Sequence, residues 1–255
     1  MIGLLRAESI SFFKRKLYWV MLAILGVFTG LAALLLILGP RYASEQFPGM
    51  PTIAKPAAYL FGVQQVLGQA WFPLVLAAVA VGSEVGSSIW AVQLTRESRR
   101  WRHLLVKTLV LTGAGFAAAV LAIAGWSVIT AIWAEGSGFP TIGEWTGVAW
   151  KTLLVMFIWV SIGVGTVGAF RSVGPAIGAG MGFYFVEQLL ALWKPWQNVS
   201  LSIASSRLIA DLSTTQGSFG VDFGSMTFTR ALIVCLAWGL FGVSIAWVGI
   251  QLRDP

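Results

Sequence analysis

The run from Tyr18 to Leu38 holds 21 residues and no charged side chain. A helix rising 1.5 Å per residue needs about 20 such residues to cross a hydrocarbon layer roughly 30 Å thick. Lys14, Arg15 and Lys16 precede the run, as basic residues precede the apolar core of a secretory leader. Such a core is only about 7–15 residues long, so the stretch reads as a retained first transmembrane helix. Comparable stretches recur. They predict spans at 18–38, 66–88, 108–133, 148–169, 173–193 and 229–250. Gly39-Pro40 is expected to end the first span, because proline cannot continue a helix ladder. Residues 40–65 read as a loop with short turns. The second span has the shortest apolar core, Trp71 to Gly82. Gln64, Gln65 and Gln69 stand before it, which suits a broken or re-entrant beginning.

Composition agrees with a chain that faces lipid. Only 11% of the residues are charged, where a soluble domain carries roughly a quarter. Too few solvated groups are present to cover the surface of a water-soluble fold. The 13 tryptophans suit the headgroup level, and the 29 glycines allow helices to approach closely. A net charge of +7 raises the question of nucleic acid. The excess flanks the apolar runs, however, so no nucleic-acid partner is expected and membrane lipids are the expected contact. The one cysteine, Cys235, excludes a disulfide within the chain and any cysteine-based metal site. The expected fold class is an all-α integral membrane protein of six transmembrane helices. Residues 1–17 precede a transmembrane domain of residues 18–255.

Lysine and arginine set the orientation. One side of the predicted topology holds Arg6, Lys14, Arg15, Lys16, Arg96, Arg99, Arg100, Arg102, Lys107, Arg171 and Arg253; the other holds Arg41, Lys55, Lys151, Lys194, Arg207 and Arg230. The first set is larger and tightly clustered, which places both termini in the cytoplasm and the protein in the cell (inner) membrane. Residues 194–228 then form a longer external polar segment. Within residues 1–17, Ile2, Leu5, Ser9, Phe12 and Phe13 recur at near-helical spacing, with Arg6, Lys14 and Arg15 elsewhere. An amphipathic helix lying in the interface is expected there.

Several motifs limit the chemistry. No GxxxxGK[ST] loop occurs, so ATP hydrolysis by that route would belong to a partner chain. Gly163, Gly165 and Gly168 spell GxGxxG, but inside an apolar span rather than between a strand and a helix. Helix packing explains them better than cofactor binding. Gly26 and Gly30, and Gly174, Gly178 and Gly182, repeat every four residues and are expected to line tight helix contacts, above all in the fifth span. Glu84 and Glu187 are acidic residues at membrane depth. Each suits either a functional site or a carboxylate satisfied near the interface. With His103 as the only histidine, no catalytic triad and no metal centre is expected.

Residues 84–107 read EVGSSIWAVQLTRESRRWRHLLVK. Arginines clustered with tryptophans suit a short cytoplasmic interfacial helix. The order and spacing of Glu84, Trp90, Leu94, Thr95, Arg96, Arg100, Trp101, Leu104, Leu105 and Lys107 also resemble the segment between the second and third spans of ABC-2 type transporter permeases. The sequence differs from that family in having Glu97 where a proline is usual, and Gly86, Ser87 and Ser88 where a Gly/Thr pair is usual. The resemblance implies a coupling helix that docks on a separate P-loop ATPase through Glu84, Trp90, Leu94, Arg96, Arg100, Trp101, Arg102 and Lys107. It further implies a second permease subunit, identical or not, ATP and magnesium held by the ATPase, and export as the direction of transport. Apolar spans suit an apolar or amphipathic substrate. Two other readings are an ion-gradient-driven secondary transporter using Glu187 and a non-transport membrane assembly factor.

Overall fold

In a computed structural model, residues 2–46, 55–69, 71–86, 100–134, 136, 138–210 and 226–251 are described. Among them the chain is helical, with no strand. The helices are α1 (Ile2–Phe13), α2 (Lys16–Gln46), α3 (Lys55–Gly68), α4 (Trp71–Gly86), α5 (Arg100–Trp133), α6 (Ile142–Phe170), α7 (Val173–Leu190), α8 (Lys194–Gln197), α9 (Leu201–Ala210) and α10 (Phe228–Gln251). Among the described residues, five stretches are long and apolar enough to cross a membrane: Lys16–Gly39, Ala58–Gly86, Trp101–Trp133, Ile142–Phe170 and Phe228–Gly249. Together they point to a membrane protein.

Local chemistry sets where these helices begin and turn. At the start of α6, the Thr141 hydroxyl accepts from the Glu144 N–H, and the Glu144 carboxylate accepts from the Thr141 N–H at 2.6 Å. This reciprocal pair satisfies two donors that a helix start leaves open. Pro73 lies in the first turn of α4, where its missing N–H costs no ladder bond. Between α6 and α7 the chain reverses at Arg171, which adopts the left-handed conformation at φ 53°. A non-glycine residue is strained there. The Arg171 side chain compensates by donating from Nη2 to the Gly249 carbonyl, 2.9 Å away, at the end of α10. A cation is thereby held at the negative ends of two helices.

Contacts between helices give a consistent set of heights. Gly163 of α6 lies level with Leu74 of α4, Gly165 with Gly242 of α10, and Gly168 with Ala246 and Gly249. Hence α6 and α10 run parallel. Gly82 meets Val173, and Gly180 meets Leu74, so α4 and α7 run antiparallel. The α4 and α6 segments form the centre, with 65% and 61% of their most apolar windows buried, against 28% for α2 and for α10. The outer faces of α2 and α10 expose Phe28, Leu31 and Leu35, and Ile233, Leu240 and Phe241. A continuous apolar exterior of this kind suits lipid, not water.

Several sequence expectations change in detail. The helix α2 continues through Pro40 to Gln46, because one proline removes a single ladder bond and kinks a helix more readily than it stops one. Much of the expected loop at 40–65 lies in α2 and α3. In α3, Ala58, Tyr59, Val63, Val66 and Leu67 are buried, and Trp126 lies across Gly62 and donates from Nε1 to the Ala58 carbonyl at 2.8 Å. The expected break in the second span falls at Gln69, between α3 and α4. The expected fifth span, 173–193, is a helix over Val173–Leu190 but is not one of the five stretches above. Its glycines, Glu187 and Gln188 dilute its apolar character. The segment 194–228, expected to be external, contains α8 and α9, and its residues 211–225 lie outside the described residues.

Candidate functional site: a buried ion cluster

Where α2 and α5 begin and α4 ends, four charged side chains meet inside the bundle. Glu84 at the end of α4 contacts Arg15 through Oε1 and Lys107 of α5 through Oε2. Lys107 Nζ also lies 2.5 Å from Glu8 Oε1 of α1. Arg15 Nη1 donates to the Ala80 carbonyl at 3.3 Å. The Glu84 and Lys107 side chains are only 4% and 3% exposed, so each charge depends on its neighbours for compensation. Among the described residues these two acids and two bases offset one another, which favours the cluster at low dielectric. His103, one turn before Lys107, is buried as well.

Each member arrives for a local reason. The amide N–H groups of Arg15 and Tyr18 bond back to Phe12 and Arg15 carbonyls across the α1–α2 corner, which turns Arg15 inward. Phe12, Phe13 and Tyr18 pack edge to face beneath that corner, and the Tyr18 hydroxyl donates to the Ala114 carbonyl at 3.3 Å. Glu84 and Lys107, 23 positions apart in sequence, bracket residues 87–99. The cluster therefore joins both ends of that segment to each other and to α1.

Of the sequence-predicted coupling residues, Glu84 and Lys107 come together. Trp101 stays exposed, with the Arg102 guanidinium 5.7 Å from its ring centre. Arg100 opens α5. Trp90, Leu94 and Arg96 lie outside the described residues. Sequence reasoning missed Glu8 and Arg15 as site members. A signal was present: Glu8 is the only acid among residues 1–17, and a lone acid in a basic leader needs a partner.

The expected glycine contacts are redistributed. A Cβ placed on Gly26, Gly30, Gly174, Gly178 or Gly182 meets no atom of another described element within 4 Å, so none of these makes a tight contact among the described residues. The close approaches belong to the GxGxxG glycines instead. A Cβ on Gly165 would stand 2.6 Å from the Gly242 carbonyl oxygen, and one on Gly168 would stand 2.6 Å from the Ala246 Cα.

A second buried acid is held differently. Glu187 of α7 is 1% exposed. It accepts from Ser200 Oγ at 2.7 Å, from the Ser202 N–H at 3.2 Å and from Ser202 Oγ. Its carboxylate thus sits at the start of α9, where helix N–H groups and the helix dipole favour negative charge. Serine donors hold it, so hydrogen bonds satisfy both carboxylate oxygens. Among the described residues, no group of three or more His, Cys, Asp or Glu is placed to hold a metal ion. In comparisons with known proteins, no family model and no curated protein matches the sequence.

Proposed function

We propose that this chain is the membrane permease subunit of an ATP-binding cassette exporter, driven by an ATPase on a separate polypeptide. The observation that carries the reading is the ion cluster, because it ties both ends of segment 84–107 to α1, α4 and α5 at once. A short arginine-rich helix pushed by a partner would move three helices together. An unanchored loop would absorb the motion. The resemblance of residues 84–107 to the coupling segment of ABC-2 permeases supplies the identity of that partner, a P-loop ATPase. Pairing with a second permease subunit follows from the same resemblance.

In this reading six helices cross the cell membrane and both termini are cytoplasmic. Two geometric facts support the sixth crossing. The chain ends α6 beside the end of α10, with Arg171 bonded to Gly249. It begins α10 beside the first third of α6, where the rings of Trp150 and Phe228 stand 6.3 Å apart. Residues 171–228 must therefore return through the full bundle. In that stretch α7, about 27 Å long at 1.5 Å per residue, is the one described helix of sufficient length. Helix α1 lies at the interface, where exposed Leu5, Ile10 and Phe13 alternate with exposed Arg6 and Lys14, a mixture that suits headgroups. The exported substrate is apolar or amphipathic.

Affinity purification from detergent tests the partner, with a soluble P-loop ATPase expected in near-equal ratio to the permease. Reversing the charges of Arg96 and Arg100 should release the ATPase or uncouple its hydrolysis from transport, while the permease elutes unchanged. Unaltered binding and transport in that variant would sink the assignment. The ion-gradient alternative needs a carboxylate that titrates during transport. Because Glu187 is held by serines, Glu187→Gln is expected to leave transport intact, and loss of transport with the fold retained would favour that alternative.

A further inference from the structure

Helix α1 has two unlike faces. Leu4, Glu8 and Phe12 recur every four residues, which puts them on one side of the helix. That side turns inward: Leu4 packs on the core, Phe12 is 3% exposed, and Glu8 meets Lys107 of α5. Arg6, Ile10 and Phe13 stand on the opposite side and are exposed. At the α1–α2 corner Lys14 and Lys16 are exposed too, whereas Arg15 between them turns in to Glu84.

The outward side therefore carries positive charge alone. Glu8 is the only acid among residues 1–17, and Lys107 engages it on the inner side. Among the described residues, Arg6, Lys14 and Lys16 make no ion pair. They spread over about 12 Å from Arg6 to Lys14, at 1.5 Å per residue. Two features set their depth. Trp19 is 56% exposed and donates from Nε1 to the Phe13 carbonyl at 3.0 Å, and an indole at the end of a span favours the headgroup level. From Val20 onward the outer face of α2 is apolar, with Ile24, Val27 and Phe28 exposed. Lys14 and Lys16 thus stand where a lipid-facing surface gives way to a polar one.

We propose that this side of α1 and its corner with α2 bind the headgroups of anionic phospholipids through Arg6, Lys14 and Lys16. A phosphodiester without an ammonium group meets only cations here, while a zwitterionic headgroup brings its own cation against them. An acidic protein surface offers the same charge. The interleaved Ile10 and Phe13, continuous with the apolar face of α2, favour lipid instead. The inference rests on α1 lying at the interface and not on ATP coupling.

The test uses the full-length protein with a bimane on Ser11→Cys in a Cys235→Ala background, in phosphatidylcholine nanodiscs. Ser11 is exposed and Cys235 is buried. Phosphatidylglycerol or phosphatidylcholine carrying a nitroxide high on one acyl chain is added in rising traces as quencher. Half-quenching should need at least about fivefold less of the anionic quencher, the effect of one engaged cation, and high salt should shrink the difference. Combining Arg6→Gln, Lys14→Gln and Lys16→Gln should bring the two lipids level without changing elution of the protein on a sizing column. Lys194→Gln with Arg230→Gln, exposed cations of α8 and α10, should leave the preference intact. Equal quenching by both lipids before any substitution would overturn the anionic preference while keeping α1 at the interface. Quenching by neither would take α1 off the interface, and the inference with it. A preference that survives the triple substitution would overturn the site, and if that variant also loses a co-purifying ATPase, the face belongs to a protein partner.

Discussion

Glu84 and Lys107 are the residues with most at stake in the fold. Both are nearly inaccessible, and each faces a partner from another helix. Removing one charge of a buried pair strands the other, at a general cost of about 3–5 kcal/mol. Glu84→Gln should therefore lower resistance to denaturant in detergent micelles by an amount of that order. Combining it with Lys107→Met should cost less than the sum of the two, with a coupling of about 1–3 kcal/mol in a double-mutant cycle. Additive losses would mean that the two side chains do not depend on one another. Glu187 is expected to respond differently. Its donors are neutral serines, so Glu187→Gln keeps an acceptor and should cost about 1 kcal/mol, read in the same unfolding assay.

Among the elements, the α6–α10 pair forms the closest seam. Gly165 lies against Gly242, and Gly168 lies against Ala246 and Gly249. The backbones approach too closely for a side chain at any of these glycines. Gly249→Ala would place its methyl against the Gly168 carbonyl and should destabilise the bundle by about 1–3 kcal/mol, as overpacking generally does. Gly178→Ala, whose added methyl meets nothing among the described residues, should leave unfolding of the isolated chain unchanged. The contrast can be read by thermal unfolding of the two purified variants side by side. An equal loss in both would contradict the seam.

Whole-molecule topology depends on α7. With five crossings the termini would lie on opposite sides of the membrane; with α7 as the sixth they share one side. Cysteine introduced near residue 3 and near residue 253, in a Cys235→Ala background, should react with a membrane-impermeant maleimide only after the cytoplasmic face is opened. Cys235 itself is fully buried. Labelling of one terminus from outside intact cells would remove α7 as a crossing.

Apolar length and the lack of charge were enough, in the sequence, to establish a helical membrane chain, because spanning helices satisfy their own backbone and betray themselves by composition alone. The same reasoning located the cores of the five qualifying helices and expected the second to begin with a broken or re-entrant piece. It also read Gly163, Gly165 and Gly168 as packing rather than cofactor chemistry. It did not find α9, although Leu201, Ala204 and Leu208 stand at helical spacing and are fully buried, since serines and Arg207 mask the pattern. Nor could spacing tell which glycines face a neighbour. Helical periodicity gives a residue's face but not what lies opposite, so Gly178 and Gly168 look alike until α10 is in place. The ion cluster was hidden for the same reason: Glu8 and Arg15 are distant in the chain from Glu84 and Lys107, and only tertiary packing brings the two pairs within reach of one another.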